Sequence, residues 1–90
     1  MQPTINEATD QFLRTAARDL QQQMSLIGAV NEVTLDTDLT VLRLRAEIRV
    51  QHRTIEVEGV GDSLVSAYAD LRRRVAEPVL AAAFREVMGG

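Results

Sequence analysis

The sequence predicts an α+β fold in which a long N-terminal helix is followed by a three-stranded antiparallel meander and a C-terminal helix, kinked or split at Pro78. Two observations predict this order. Apolar residues recur at helical spacings near both ends of the chain, whereas they alternate with polar residues between positions 32 and 58. Short polar segments separate the alternating runs, which favours antiparallel pairing. At 90 residues, 46% of them hydrophobic, the chain is expected to form a single domain over residues 1–90.

The first helix is predicted over about residues 4–27. Thr4 and Glu7 have the spacing of a capping box, in which each side chain accepts a hydrogen bond from the backbone amide of the other residue. Gly28 is expected to end the helix by adopting a positive φ. The apolar face follows spacings of four, three, four and three residues: Leu13, Ala17, Leu20, Met24 and Ile27.

Alternation predicts the central strands. Across 42–50 every even position is apolar and every odd position is Arg or Glu, so one face is buried and the other faces water. The preceding segment, Asp36-Thr37-Asp38, has the composition of a turn. With a two-residue turn at Thr37-Asp38, the expected cross-strand pairs are Val33 with Leu42 and Glu32 with Arg43.

A second turn, at Gln51-His52-Arg53, is expected to return the chain as a third strand over 54–58. Opposite charges would then meet on the solvent face, and such cross-strand pairs contribute roughly 0.2–1 kcal/mol each. The expected neighbours are Arg45 and Arg49 beside Glu56 and Glu58.

Gly59-Val60-Gly61 is expected to end the sheet, and Asp62 or Ser63 to cap the second helix. Pro78 either kinks this helix or begins a new one. Apolar residues beyond it exceed what a three-stranded sheet can cover. Residues 78–88 are therefore expected to pack on the first helix or on a second copy of the chain.

The two glycines before that helix also match a weak phosphate-loop pattern, because amides at a helix N-terminus attract anions. Gly-x-Gly alone is common, and Asp62 would repel a phosphate. We therefore interpret the segment as a turn followed by a helix cap.

The composition argues against several functions. A net charge of −3 is unlike the basic excess of nucleic-acid binders. There is no Cys, and the sole His, His52, lies in a predicted turn, so we expect no catalytic residue, metal, cofactor or small-molecule substrate. No apolar run reaches the ~20 residues of a membrane span, and no signal peptide is evident, so a cytoplasmic location is expected.

From Glu32 to Val75 the chain resembles the double-stranded-RNA-binding domain in the order of its elements. The local match is Ile55–Ser63, a third strand leading through Gly-x-Gly-x-Ser into the second helix, with Ala67 and Leu71 on its inner face. This resemblance implies the fold. The family binds RNA phosphates with lysines just after that serine, and the matching positions here carry no basic residue. They are Leu64, Val65 and Tyr68.

We therefore expect a non-catalytic protein–protein interaction module, acting on another protein and forming a homodimer. If the chain has the fold that the resemblance implies, Val65 and Tyr68 of the second helix point partly outward and form an apolar patch, unless they pack under the C-terminal segment. The candidate partner-binding residues are Val65, Tyr68, Leu80, Phe84 and Val87.

Two alternatives stay open. The chain resembles phage-encoded anti-CRISPR proteins in type only, being small, acidic and without Cys; carboxylates would then mimic phosphates, at Glu56, Glu58 and Asp62. In a nucleic-acid-binding domain, arginines would contact the backbone phosphates instead. Those candidates are Arg43, Arg45, Arg49, Arg53, Arg72, Arg73 and Arg74.

Overall fold

The computed structural model describes residues 3–38 and 41–88, without the side chains of residues 3–6, 38 and 86. Its elements follow the predicted α+β order. They are helix α1 (Pro3–Gln23), strands β1 (Ala29–Asp38), β2 (Val41–Val50) and β3 (Arg53–Gly61), and helix α2 (Leu64–Val87). The strands form one antiparallel sheet in the order β1-β2-β3. Both helices pack on the same, inner face of this sheet.

Helix α1 ends four residues earlier than predicted. A turn at 24–27 follows Gln23, and the Gly28 amide closes it by donating to the Met24 carbonyl at 2.8 Å. Gly28 does not have the predicted positive φ. It is required by close approach instead, since a Cβ there would lie 2.6 Å from the Arg49 carbonyl oxygen. The predicted capping box lies outside the described residues, because the side chain of Thr4 is not described.

The predicted register of the first hairpin was wrong. β1 continues through Asp36-Thr37-Asp38, and Asp38 pairs with Val41. Val33 therefore lies opposite Ala46, and Glu32 lies opposite Glu47. The inner and outer faces were nevertheless predicted correctly, because a four-residue shift in pairing preserves a period of two. The polar composition of residues 36–38 suggested a turn, but these residues pair with β2 as part of the strand.

The second hairpin is closer to the prediction. Gln51 and His52 form the turn, and Gln51 has a φ of 56°. Arg45 lies opposite Glu58, as expected, whereas Arg49 lies opposite Thr54. β3 then runs on through Gly61, so the two glycines belong to the strand and not to a turn.

The core lies between the inner face of the sheet and the two helices. Even-numbered residues of β2 lie at its centre, and Leu20 of α1 and Met24 of the turn that follows pack against them. Helix α2 contributes one residue in each turn. These α2 core residues are Ala67, Leu71, Val75, Val79 and Ala82. No buried side-chain nitrogen or oxygen among the described residues lacks a hydrogen-bond partner.

Helix α2 begins with the cap that the sequence left open between two residues. The Ser63 hydroxyl accepts from the Ser66 amide at 3.1 Å, and the Ser66 hydroxyl accepts from the Ser63 amide at 3.1 Å. Ser63 is thus the cap in a reciprocal arrangement. The helix is continuous through Pro78, so the chain is not split there.

Candidate protein-interaction surfaces

The C-terminal half of helix α2, with the residue that follows it, carries an exposed apolar face. We call it the α2 outer face, and its residues are Leu80, Phe84, Val87 and Met88. These side chains are 42, 64, 73 and 82% exposed, respectively. At 100° per residue they lie opposite the core positions Val75 and Ala82. A helix that buries one face on a sheet usually presents charged residues on the other. The α2 outer face departs from that rule.

Helix α1 does not cover this face. The two helices run parallel along their contact, which extends from Phe12 against Tyr68 to Asp19 against Arg72. α1 ends about 6 Å beyond Asp19, whereas Leu80 lies about 12 Å beyond Arg72 along α2. The expectation that residues 78–88 pack on the first helix is therefore wrong. Val79 and Ala82 pack in the core instead.

Tyr68, one of the candidate partner-binding residues, lies half-buried between the two helices. Its ring is perpendicular to that of Phe12, at a centroid distance of 6.2 Å. Its hydroxyl donates to the Asp19 carboxylate, which also receives Arg72 at 3.4 Å. Burial, reinforced by the hydrogen bond to Asp19, raises the pKa of Tyr68 well above its ordinary value. Val65, one turn earlier, is 72% exposed.

We expect Tyr68→Phe to lower the free energy of unfolding by about 1 kcal/mol, the usual net worth of one hydrogen bond. Because the folded-state pKa is raised, the wild type should lose stability above pH ~10, where the unfolded chain ionises. The variant should lack this tyrosine-linked loss. The chain has one Tyr, so the phenolate absorbance reports this residue alone. Titration in the ordinary range while the chain is still folded would contradict the assigned contact.

The outer face of the sheet carries a row of three carboxylates. Glu32, Glu47 and Glu56 lie opposite one another across β1, β2 and β3. Like charges directly opposite one another are destabilising. In the next row Arg45 binds Glu58 at 2.8 Å, and this hydrogen bond holds the pKa of Glu58 below its ordinary value. The charge of Arg45 also acts on Glu56, so Arg45 compensates the three carboxylates of the glutamate row only in part.

Asp70 is a connecting residue that the sequence analysis missed. Its carboxylate accepts the outward-facing Val60 amide of β3 at 2.9 Å and binds Arg74 at 2.9 Å and Arg73. The backbone hydrogen bond from Val60, followed by the one from Arg74, lowers the pKa of Asp70. One sequence signal was present, because Asp70 stands three and four residues before two arginines on a helix. No sequence pattern pointed to its contact with the strand.

Asp70 should make stability depend on pH in acid. A lowered folded-state pKa stabilises the fold above the ordinary aspartate pKa of about 3.9, and this contribution is lost as the pH falls through the folded value. We expect Asp70→Asn to be less stable than the wild type at pH 7. Its stability should also fall less steeply below pH ~5, as measured by urea unfolding at several pH values. Parallel curves for the two proteins would show that Asp70 is not linked to folding.

The remaining candidates are dispersed. Arg49 donates to the Gln51 carbonyl at 3.2 Å, and the Asp62 carboxylate accepts from the Ser66 hydroxyl at 3.1 Å. Arg43 and Arg53, on β2 and β3, also make interactions. His52 lies in the second hairpin turn.

Across residues 3–38 and 41–88, no group of three or more His, Asp or Glu side chains is placed to hold a metal ion. None of the helices in these ranges combines the length and hydropathy that crossing a bilayer requires. Comparisons with models of protein families, with curated proteins and with solved structures gave no significant match. The evidence on function therefore comes from the helix–three-strand–helix order and from the two surfaces described above, the α2 outer face and the glutamate row.

Proposed function

We propose that the chain is a non-catalytic protein–protein interaction module that forms a homodimer through the α2 outer face. The observation that carries this proposal is the row of exposed apolar side chains from Leu80 to Met88. Contiguous exposed apolar side chains are typical of contact surfaces between proteins. A two-fold axis across the α2 outer face would bury it against itself, and two-fold dimers are the commonest oligomers.

A protein partner is better supported than RNA. The helix–three-strand–helix order is compatible with the double-stranded-RNA-binding domain, whose phosphate-binding lysines are replaced here by Leu64, Val65 and Tyr68. Duplex binding depends on neutralising phosphates. Several candidate arginines are already engaged within the chain, among them Arg45 with Glu58 and Arg74 with Asp70. An RNA would have to compete for these pairs.

Light scattering and thermal melting over a series of protein concentrations test the proposal. We expect a mass of twice the 10.0 kDa of one chain. The melting temperature should rise with concentration, because association stabilises only the folded state. Added duplex RNA or DNA should change neither result. A monomer at every concentration that gains mass on addition of duplex would refute this function in favour of nucleic-acid binding.

The glutamate row favours a second candidate function, that of a small acidic inhibitor of a nucleic-acid-handling complex. In this role Glu56 and Glu58 would occupy a basic groove in place of phosphates, with Asp62 beyond the strand. Arg45 already neutralises Glu58, which weakens the mimicry. Charge reversal at Glu56 and Asp62 should abolish inhibition of such a complex. Unchanged inhibition would exclude this candidate.

A further inference from the structure

The open edge of β3 and the flank of α2 enclose a groove. Its larger section, of about 720 Å³, lies between Glu56–Glu58 of the strand and Arg73, Arg74, Glu77 and Pro78 of the helix. A second section, of about 440 Å³, continues past Pro78 along Arg53–Ile55, opposite Ala81 and Arg85. Together they follow about 20 Å of strand edge.

Unpaired backbone groups face this groove. β3 is an edge strand, and the Val60 amide points away from β2 because it binds Asp70. In an antiparallel strand every second residue points the same way. The amides and carbonyls of Thr54, Glu56 and Glu58 therefore point off the open edge. Asp70 occupies only the Val60 amide, so it blocks the open edge of β3 only near the end of the strand.

The helix side of the groove also offers an acceptor. Pro78 has no amide hydrogen, so the carbonyl of Arg74 lacks its helical partner. Both residues line the larger section. Nearby Ala81 and Ala82 make the floor of the second section small and apolar.

The charges select the occupant. Of the charged groups that line the larger section, Arg73 and Arg74 bind Asp70, and Glu58 binds Arg45. Glu56 and Glu77 make no hydrogen bond or ion pair within the described part of the chain, and the charge of Arg45 acts on Glu56 only at longer range. Glu56 is also the end of the glutamate row, so a cation on an added fourth strand would relieve repulsion from Glu47. Side chains of an added strand alternate between the two sheet faces. Outer-face positions would meet Glu56 of the strand, and inner-face positions would meet Glu77, Pro78 and Ala81 of α2.

We propose that this groove binds an extended peptide segment of another protein as a fourth strand, with Arg or Lys on its outer face and small apolar residues on its inner face. Strand addition of this kind takes its affinity from main-chain hydrogen bonds and its specificity from alternate side chains. The inference rests on the proposed function only in that the chain acts by binding another protein. It does not require the dimer, because the groove is lined by none of the four residues of the α2 outer face. Glu77, seven residues before Phe84, lies where the two surfaces adjoin.

Titration with a labelled peptide tests this binding mode. The probe is a blocked peptide of about seven residues with alternating Arg and Val, long enough for the ~20 Å edge. We expect saturable binding by fluorescence anisotropy. Slowed hydrogen exchange should appear at the amides of Thr54, Glu56 and Glu58. A peptide of the same composition, with its arginines and valines in two separate blocks, should bind at least about tenfold more weakly because it cannot present one residue type to each face.

Matched charge reversals locate the site. Glu56→Arg should weaken binding about tenfold, since it turns an attraction into a repulsion. Glu32→Arg makes the same change of charge in the same row, two strands or about 10 Å away, and should have a much smaller effect. Equal effects of the two variants would refute the groove in favour of general charge attraction. Slowed hydrogen exchange confined to α2 would also refute the groove. If rising protein concentration alone slowed exchange at the three amides, the occupant would be a second copy of the chain and not a peptide of another protein.

The experiment is repeated in Phe84→Asp, which places a charge on the α2 outer face and is therefore expected to be monomeric. Retained peptide binding there would support the inference independently of the dimer. Loss of peptide binding in both proteins, with the dimer intact in the wild type, would overturn the peptide groove and leave the proposed homodimer standing. If the wild type were monomeric but bound the alternating peptide, the peptide groove would stand and the proposed homodimer would be overturned.

Discussion

Gly59→Ala is expected to be the most destabilising single-methyl addition in this chain. Gly59 lies on β3 where α2 crosses it, and an added Cβ would be less than 3.0 Å from the backbone nitrogen and Cα of Leu71. Backbone atoms cannot rotate away, so the helix would have to move off the sheet. We expect a loss of about 3 kcal/mol, the upper part of the usual range for overpacking. In a domain of this size the melting temperature would fall by on the order of 15 °C.

Val60→Ala is the control for this substitution. Val60 is the next residue of the strand, but its side chain lies on the outer face and is 39% exposed. Its truncation should cost less than about 1 kcal/mol. The double variant Gly59→Ala with Leu71→Ala should not recover stability, because the clash involves the backbone of residue 71. A melting temperature for Gly59→Ala within a few degrees of that of the wild type would contradict the close approach.

Gly59 also shows what sequence patterns could and could not establish. Alternation and helical spacing predicted the element order and the buried faces, because burial repeats with the geometry of each element. They could not show that α2 lies directly on the backbone of β3, since a close approach requires an absence of side-chain atoms and leaves no periodic signal. Gly-x-Gly therefore suggested a turn or a phosphate loop, although its glycines are strand residues under a helix.

The same limit applies to the register and to the candidate site. A shift of two or four residues leaves the faces of a strand unchanged, so alternation could not exclude the wrong pairing of Val33 with Leu42. The glutamate row exists only in the observed register. The exposed apolar residues of α2 could be predicted in part, because helical spacing places Leu80, Phe84 and Val87 on a different face from the core positions. The peptide groove depends on which β3 amides point outward, and that follows from the hydrogen bond between Val60 and Asp70.

Phe84→Asp is expected to abolish the homodimer. Phe84 is at the middle of the α2 outer face and, at 64% exposure, contributes little to the core of a single chain. An aspartate there would be buried without a partner in the dimer, at a cost of several kcal/mol. We expect the dimer dissociation constant to rise at least about a hundredfold, which corresponds to about 2.7 kcal/mol. Sedimentation equilibrium and the concentration dependence of the melting temperature measure this change.

Leu26→Asp is the matched control, because it places the same charge on an exposed apolar residue outside the α2 outer face. Leu26 lies in the turn after α1 and is 99% exposed. This variant should dimerise like the wild type. The far-ultraviolet circular dichroism of both variants should match that of the wild type, since neither side chain is in the core. If Phe84→Asp remained dimeric, or if Leu26→Asp dissociated equally, the assembly would have to use a surface other than the α2 outer face.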